Sequence, residues 1–86
     1  METLTFSDGT VLQNSSAVKS GDLFLYINGV SMKDVFDLLI DSEITEQISY
    51  TMNNGETVTY NNFQHLIAVR DEDNGLVTAV LRKAVE

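Results

Sequence analysis

Asp34, Asp37 and Asp41 recur at the three- and four-residue spacing that gathers side chains on one face of a helix, and Glu43 and Glu46 follow closely. Five carboxylates in such a run make an anionic patch. It could meet a basic protein surface, or imitate nucleic-acid phosphates and so occupy a nucleic-acid-binding protein as a decoy; the plainer reading is a solvated helix face. A second acidic run, Asp71-Glu72-Asp73-Asn74-Gly75, opens like a calcium loop. An EF-hand needs an oxygen ligand at its fifth position, glycine at its sixth and glutamate at its twelfth. Those positions hold Gly75, Leu76 and Arg82, so the match fails and the run reads as an acidic hairpin tip.

His65 is the one histidine, and there is no cysteine. Zinc sites draw on several His or Cys ligands, and a hydrolytic triad needs a base oriented by a carboxylate beside a nucleophile. No Gly-x-Ser-x-Gly elbow surrounds any serine, and the glycines at 9, 21, 29, 55 and 75 stand apart rather than forming a phosphate-cradling loop. These residues predict a protein without catalytic residues, metal site or cofactor.

The whole composition agrees with that reading. Thirteen Asp plus Glu against five Lys plus Arg give a net charge of −8. Nucleic-acid affinity depends on cations that displace counterions, so direct binding to phosphate backbones or anionic membranes is not expected. The chain of 86 residues predicts one domain over 1–86, held by packing alone because no disulfide can form. The start, Met1-Glu2-Thr3-Leu4-Thr5-Phe6, lacks the positive charge and apolar stretch of a secretory signal. Apolar runs such as Leu38-Leu39-Ile40 are far shorter than a membrane span.

The elements that must position any surface follow from turn chemistry. Asp8-Gly9, Asn54-Gly55 and Asn74-Gly75 each sit between β-prone segments and predict three hairpins. Register is decided by which loop length sorts apolar from polar side chains. A three-residue loop Asn53-Asn54-Gly55 pairs Tyr50 with Val58 and Ile48 with Tyr60 on one face, and Ser49 with Thr59 and Thr51 with Thr57 on the other. That predicts a type I turn closed by a G1 bulge, with Gly55 at positive φ. The same rule pairs Leu4 with Leu12 and Thr5 with Val11 around Ser7-Asp8-Gly9. Around Asp73-Asn74-Gly75 it pairs Ile67 with Leu81, Val69 with Ala79, Ala68 with Val80 and Arg70 with Thr78.

Leu23-Phe24-Leu25-Tyr26-Ile27 is apolar on both faces and reads as an inner strand, whereas Asn14 to Gly21 reads as a polar connection. One helix of about three turns begins at Ser31, where Ser31-Met32-Lys33-Asp34 forms a capping box and Val30 and Val35 a hydrophobic staple. Met32, Val35, Phe36 and Leu39 give its buried stripe, widened by Leu38 and Ile40, and no Gly or Pro marks its end. The predicted class is α+β: about seven strands in the order β-β-β-α-β-β-β-β, forming an antiparallel sheet or partial barrel with one helix packed on it.

One short helix cannot cover a sheet that is apolar on both sides. The surplus on the inner strand and the third hairpin should therefore meet another chain or fold into a partial barrel. Phe24, Tyr26, Ala68, Arg70 and Val80 are the candidate interaction residues of that surface, and the five carboxylates are those of the anionic patch. The expected partner is a protein, self-association included.

Three segments carry a resemblance: Leu4 to Leu12, Ser31 to Leu39, and the run from Asn54 to Lys83 that ends Leu66-Ile67-Ala68-Val69-Arg70-Asp71-Glu72-Asp73-Asn74-Gly75-Leu76-Val77-Thr78-Ala79-Val80-Leu81-Arg82-Lys83. Over these the chain resembles small acidic proteins encoded in phages and prophages of gut Firmicutes. That resemblance implies a phage-derived product, cytoplasmic in the bacterial host or associated with the virion, and a structural or tail-module role. It carries no site residues with it.

Overall fold

Around Asn54-Gly55 the chain folds back in the register that side-chain sorting demands: Tyr50 opposes Val58, Ile48 opposes Tyr60, and Ser49 and Thr51 oppose Thr59 and Thr57. The Met52 N–H donates to the Glu56 carbonyl at 2.8 Å, and Gly55 sits at φ +90°. A side chain there would meet no neighbour, so its cost is conformational. Gly55→Val should lower stability by roughly 1–3 kcal/mol, read from the urea-unfolding midpoint, and Gly55→Asn by less.

The computed structural model describes residues 2–84; Met1, Val85 and Glu86, at the ends of the expected domain, lie outside the described residues. The strands are β1 (Thr3–Phe6), β2 (Val11–Gln13), β3 (Ser15–Ser20), β4 (Asp22–Asn28), β5 (Gln47–Thr51), β6 (Thr57–Asn61), β7 (His65–Asp71) and β8 (Leu76–Arg82), with helix α1 (Met32–Leu39) between β4 and β5. They form two four-stranded antiparallel sheets, ordered β2-β1-β5-β6 and β3-β4-β8-β7. The α+β class holds, but the described residues form eight strands rather than seven, in two sheets rather than one sheet or a partial barrel.

The additional strand is β3, from the segment expected to be a polar connection. It pairs along its whole length with β4, from Ser15 opposite Ile27 to Ser20 opposite Asp22. Its inward residues are small: Ser15 and Ala17 are buried, and the Ser15 hydroxyl donates to the Gln13 carbonyl at 3.0 Å. Asn14 joins β2 to β3 at φ +56°, a left-handed corner that asparagine tolerates, and its carbonyl accepts from the Asn28 amide at 2.9 Å. This corner takes the chain from the first sheet to the second.

Both sheets contribute to one core. Leu4, Phe6, Ile48 and Tyr50 face inward from the first sheet, and Leu23, Leu25, Ile27, Val77, Ala79 and Leu81 from the second. The first sheet lies over β3 and β4, while α1 lies over β7 and β8 and adds Val35 and Leu39. The first hairpin takes its expected register, Leu4 opposite Leu12 and Thr5 opposite Val11. In the third, Arg70–Thr78, Val69–Ala79 and Ala68–Val80 pair as expected. Leu66 rather than Ile67 opposes Leu81, however, because a β-bulge falls between Leu66 and Ala68 and leaves Ile67 unopposed.

Ser31 caps the helix in extended conformation, its hydroxyl accepting the Asp34 N–H at 3.2 Å. α1 is eight residues long, just over two turns rather than three. Its end is marked by an Asx turn that the sequence reading missed: the Asp41 carboxylate accepts the Glu43 N–H at 3.0 Å. The expected stripe divides along its length. Val35 and Leu39 are buried, but Met32, Phe36 and Ile40, one ridge further round, are exposed.

Candidate interaction surfaces

Alternation along a strand sends neighbouring residues to opposite faces, and the pairing registers then align them across the second sheet. Its inner rungs run Lys19–Leu23–Leu81–Leu66, Ala17–Leu25–Ala79–Val69 and Ser15–Ile27–Val77–Asp71. Its outer rungs run Val18–Phe24–Val80–Ala68 and Ser16–Tyr26–Thr78–Arg70. All five candidates drawn from strands, Phe24, Tyr26, Ala68, Arg70 and Val80, therefore share the outer face.

No element covers that face among the described residues. Leu23, Leu25 and Ile27 are fully buried, whereas Phe24 and Tyr26 on the same strand are half-buried. Val18 extends the apolar rung to the far edge at 50% exposure. Nothing in the sequence marks Val18, because β3 has little apolar alternation. Arg70 stands at the other edge with its Nε 3.9 Å from Glu72, and the Thr78 hydroxyl donates to Glu72 at 3.1 Å. On the other side of the apolar rung, between Ser20 opposite Asp22 and His65 opposite Arg82, Arg82 makes two 3.1 Å hydrogen bonds to Asp22. Those bonds hold the Asp22 carboxyl below the usual carboxylate range. The surface is thus an apolar band bordered by a hydroxyl rung and a charged rung.

The outer face of the first sheet has a different chemistry. Ser49 and Thr59 meet at 3.3 Å and Thr51 and Thr57 at 3.2 Å, so this face is largely a hydroxyl surface, with Val11 at 50% exposure opposite Thr5. Inside that sheet Tyr50 donates its phenolic hydrogen to the Glu2 carboxylate. This bond and the adjacent negative charge push the Tyr50 pKa up to about 12. A raised folded-state value means stability present below the unfolded pKa near 10 and lost as pH rises toward about 12. Unfolding midpoints of the wild type should fall across that window relative to Tyr50→Phe, with the two converging above it.

Of the three aspartates expected on one helical face, Asp41 lies beyond the end of α1. All five carboxylates are exposed. Asp34 and Asp37 lie on α1, Asp41 and Glu43 in the turn after it, and Glu46 in a 3-10 turn over Ile44–Glu46. Two already have local work: Asp37 pairs with Lys33 at 2.7 Å, and Asp41 caps its turn. Asp41 and Glu43 rim a shallow depression with Asp8, a residue the sequence reading did not group with them, while Glu46 lies on another beside Asn61 and Asn62.

His65 is exposed at the start of β7, opposite Arg82, in a depression also lined by Gln64 and Lys83. Among the described residues no group of three or more His, Cys, Asp or Glu is placed to hold a metal ion, and no helix is long and apolar enough to cross a membrane. The hairpin tip at Asp73–Gly75 closes as a turn, with Asn74 and Gly75 both at positive φ and the Glu72 N–H donating to Leu76 at 2.8 Å. Comparison of the chain with protein-family models, with curated proteins and with solved structures finds no match.

Proposed function

We propose that the protein is a non-enzymatic protein-interaction module that binds a protein partner through the outer face of its second sheet. The observation that carries this reading is the uncovered apolar rung Val18–Phe24–Val80–Ala68, which crosses all four strands. An interface core is depleted in charge and enriched in aromatic residues, with a polar rim, and the band bordered by Tyr26, Thr78 and Arg70 has that composition. The resemblance to small acidic phage and prophage proteins supports a structural or assembly role in a virion or its tail.

The test is capture of partners from the bacterial host by the wild-type chain and by variants of each surface, read by mass spectrometry. Phe24→Lys with Val80→Lys should remove the specific partner while the far-UV circular dichroism spectrum is kept, an affinity loss of at least about tenfold. Neutralising Asp34, Asp37, Asp41, Glu43 and Glu46 should leave that partner bound, and salt should weaken it little. The opposite pattern would favour an anionic decoy, for which the depression shared by Asp8, Asp41 and Glu43 is the supporting observation.

A further inference from the structure

β7 is the last strand of its sheet, and no other strand pairs with its free side among the described residues. Beside that edge runs the exposed ridge of α1. Met32, Phe36 and Ile40 form one wall and Leu66, Ile67 and Val69 the other, of an open apolar groove of about 450 Å³. All but Val69 are residues on which the expected helix stripe or the expected hairpin register fails. The bulge leaves Ile67 unopposed and 41% exposed, and the helix buries Val35 and Leu39 in place of its other ridge.

The backbone of β7 says what can lie in the groove. The Glu72 N–H is bonded to the Leu76 carbonyl, and antiparallel pairs alternate between bonded and unbonded residues. Arg70 and Ala68 therefore direct their peptide groups to β8, whereas Asp71 and Val69 direct theirs to the free edge. A strand laid there would find donors and acceptors on one side and an apolar helix wall on the other. The eight residues of α1 span about 12 Å, the length of roughly four extended residues.

We infer that this groove binds a short extended peptide segment of another protein, added as an antiparallel or parallel strand to β7, apolar at two alternate positions and carrying basic flanks. The alternate side chains fall on the α1 side, which fixes their apolar character. The basic flanks answer the net charge of −8; Lys33, which also lines the groove, is already paired with Asp37 at 2.7 Å.

A second copy fits poorly. Pairing Val69 with Asp71 of the other copy, which satisfies the free groups on both, sets Arg70 against its own counterpart. Each copy also carries the same charge of −8. The exposed parts of Met32, Phe36, Ile40 and Ile67 amount to on the order of 350 Å², about half of what each partner buries in a stable dimer.

The probe is the acetylated, amidated heptapeptide Lys-Thr-Val-Thr-Leu-Thr-Lys, titrated into the ¹⁵N-labelled full chain and followed by amide chemical shifts. Saturable shifts should map to Leu66–Asp71 and Met32–Ile40. Phe36→Gln and Ile67→Thr, both at exposed positions, should each weaken binding about tenfold, and N-methylation of the peptide's central amides should do the same with the protein untouched. A Glu-flanked peptide should bind at least about fivefold more weakly at low salt, the difference shrinking at high salt.

Absence of saturable shifts at millimolar peptide would overturn the inference, as would indifference to N-methylation. Shifts at the same residues driven by protein concentration alone would assign the groove to a second copy instead. Phe24→Lys with Val80→Lys should leave peptide affinity unchanged, so this site and the outer-face site fail independently.

Discussion

Ala17→Asp should unfold the protein or cost at least about 3 kcal/mol, while Val18→Asp, one residue along, should cost less than about 1 kcal/mol. Ala17 is 4% exposed and faces the first sheet, whose strands β1 and β5 lie against β3, so a carboxylate there has neither water nor a cation. Val18 opens onto the uncovered face. A domain of this size holds on the order of 4–13 kcal/mol in total, so the first substitution removes a large share of its stability. Urea unfolding of the two variants reads the difference. Equal effects would show that 15–20 is not an inward-facing strand.

Leu25→Ala should destabilise by about 3–5 kcal/mol, the upper part of the range for a buried leucine, with the melting temperature falling by at least roughly 15 °C. Leu25 is fully buried, and its rung neighbours are Ala17 and Ala79. Small neighbours on either side leave the leucine to fill the space toward the opposite sheet, and they have no side chains that could move into the cavity. Phe24→Ala, on the same strand, should cost less than Leu25→Ala despite removing more atoms, because its ring is only partly buried on a face that no other element covers. The comparison separates the face that holds the fold from the face assigned to a partner.

What was legible in the sequence was local. Turn residues at positive φ and the sorting of side chains fixed the registers around Gly9 and Gly55 to the residue, and the Ser31 cap placed the helix start. β3 was hidden because its two buried inward positions are a serine and an alanine and its third is a lysine: a strand packed closely under another sheet needs small residues there, and they carry little hydrophobic signal. The same blindness concealed Val18. The bulge at Ile67 depends on how β7 meets β8, and the splitting of the helix stripe depends on which ridge the sheet receives. Neither is written in periodicity. The face shared by Phe24, Tyr26, Ala68, Arg70 and Val80 was foreseeable only in parts, since its assembly required β4 to lie beside β8.

The alternation of hairpins between the two sheets sets the order in which the chain can be finished. The first sheet cannot close until Leu4 finds Tyr50, and the second until Leu23 finds Leu81. Both central pairings join distant parts of the sequence, the kind of topology that folds in milliseconds to seconds rather than microseconds. On the ribosome, β4 emerges with both greasy sides bare and waits for β8, which follows only after α1 and three further strands. A nascent chain of this protein is thus exposed to aggregation or chaperone capture until the β7–β8 hairpin arrives, and truncation before Leu81 would leave its most apolar strand without its central neighbour.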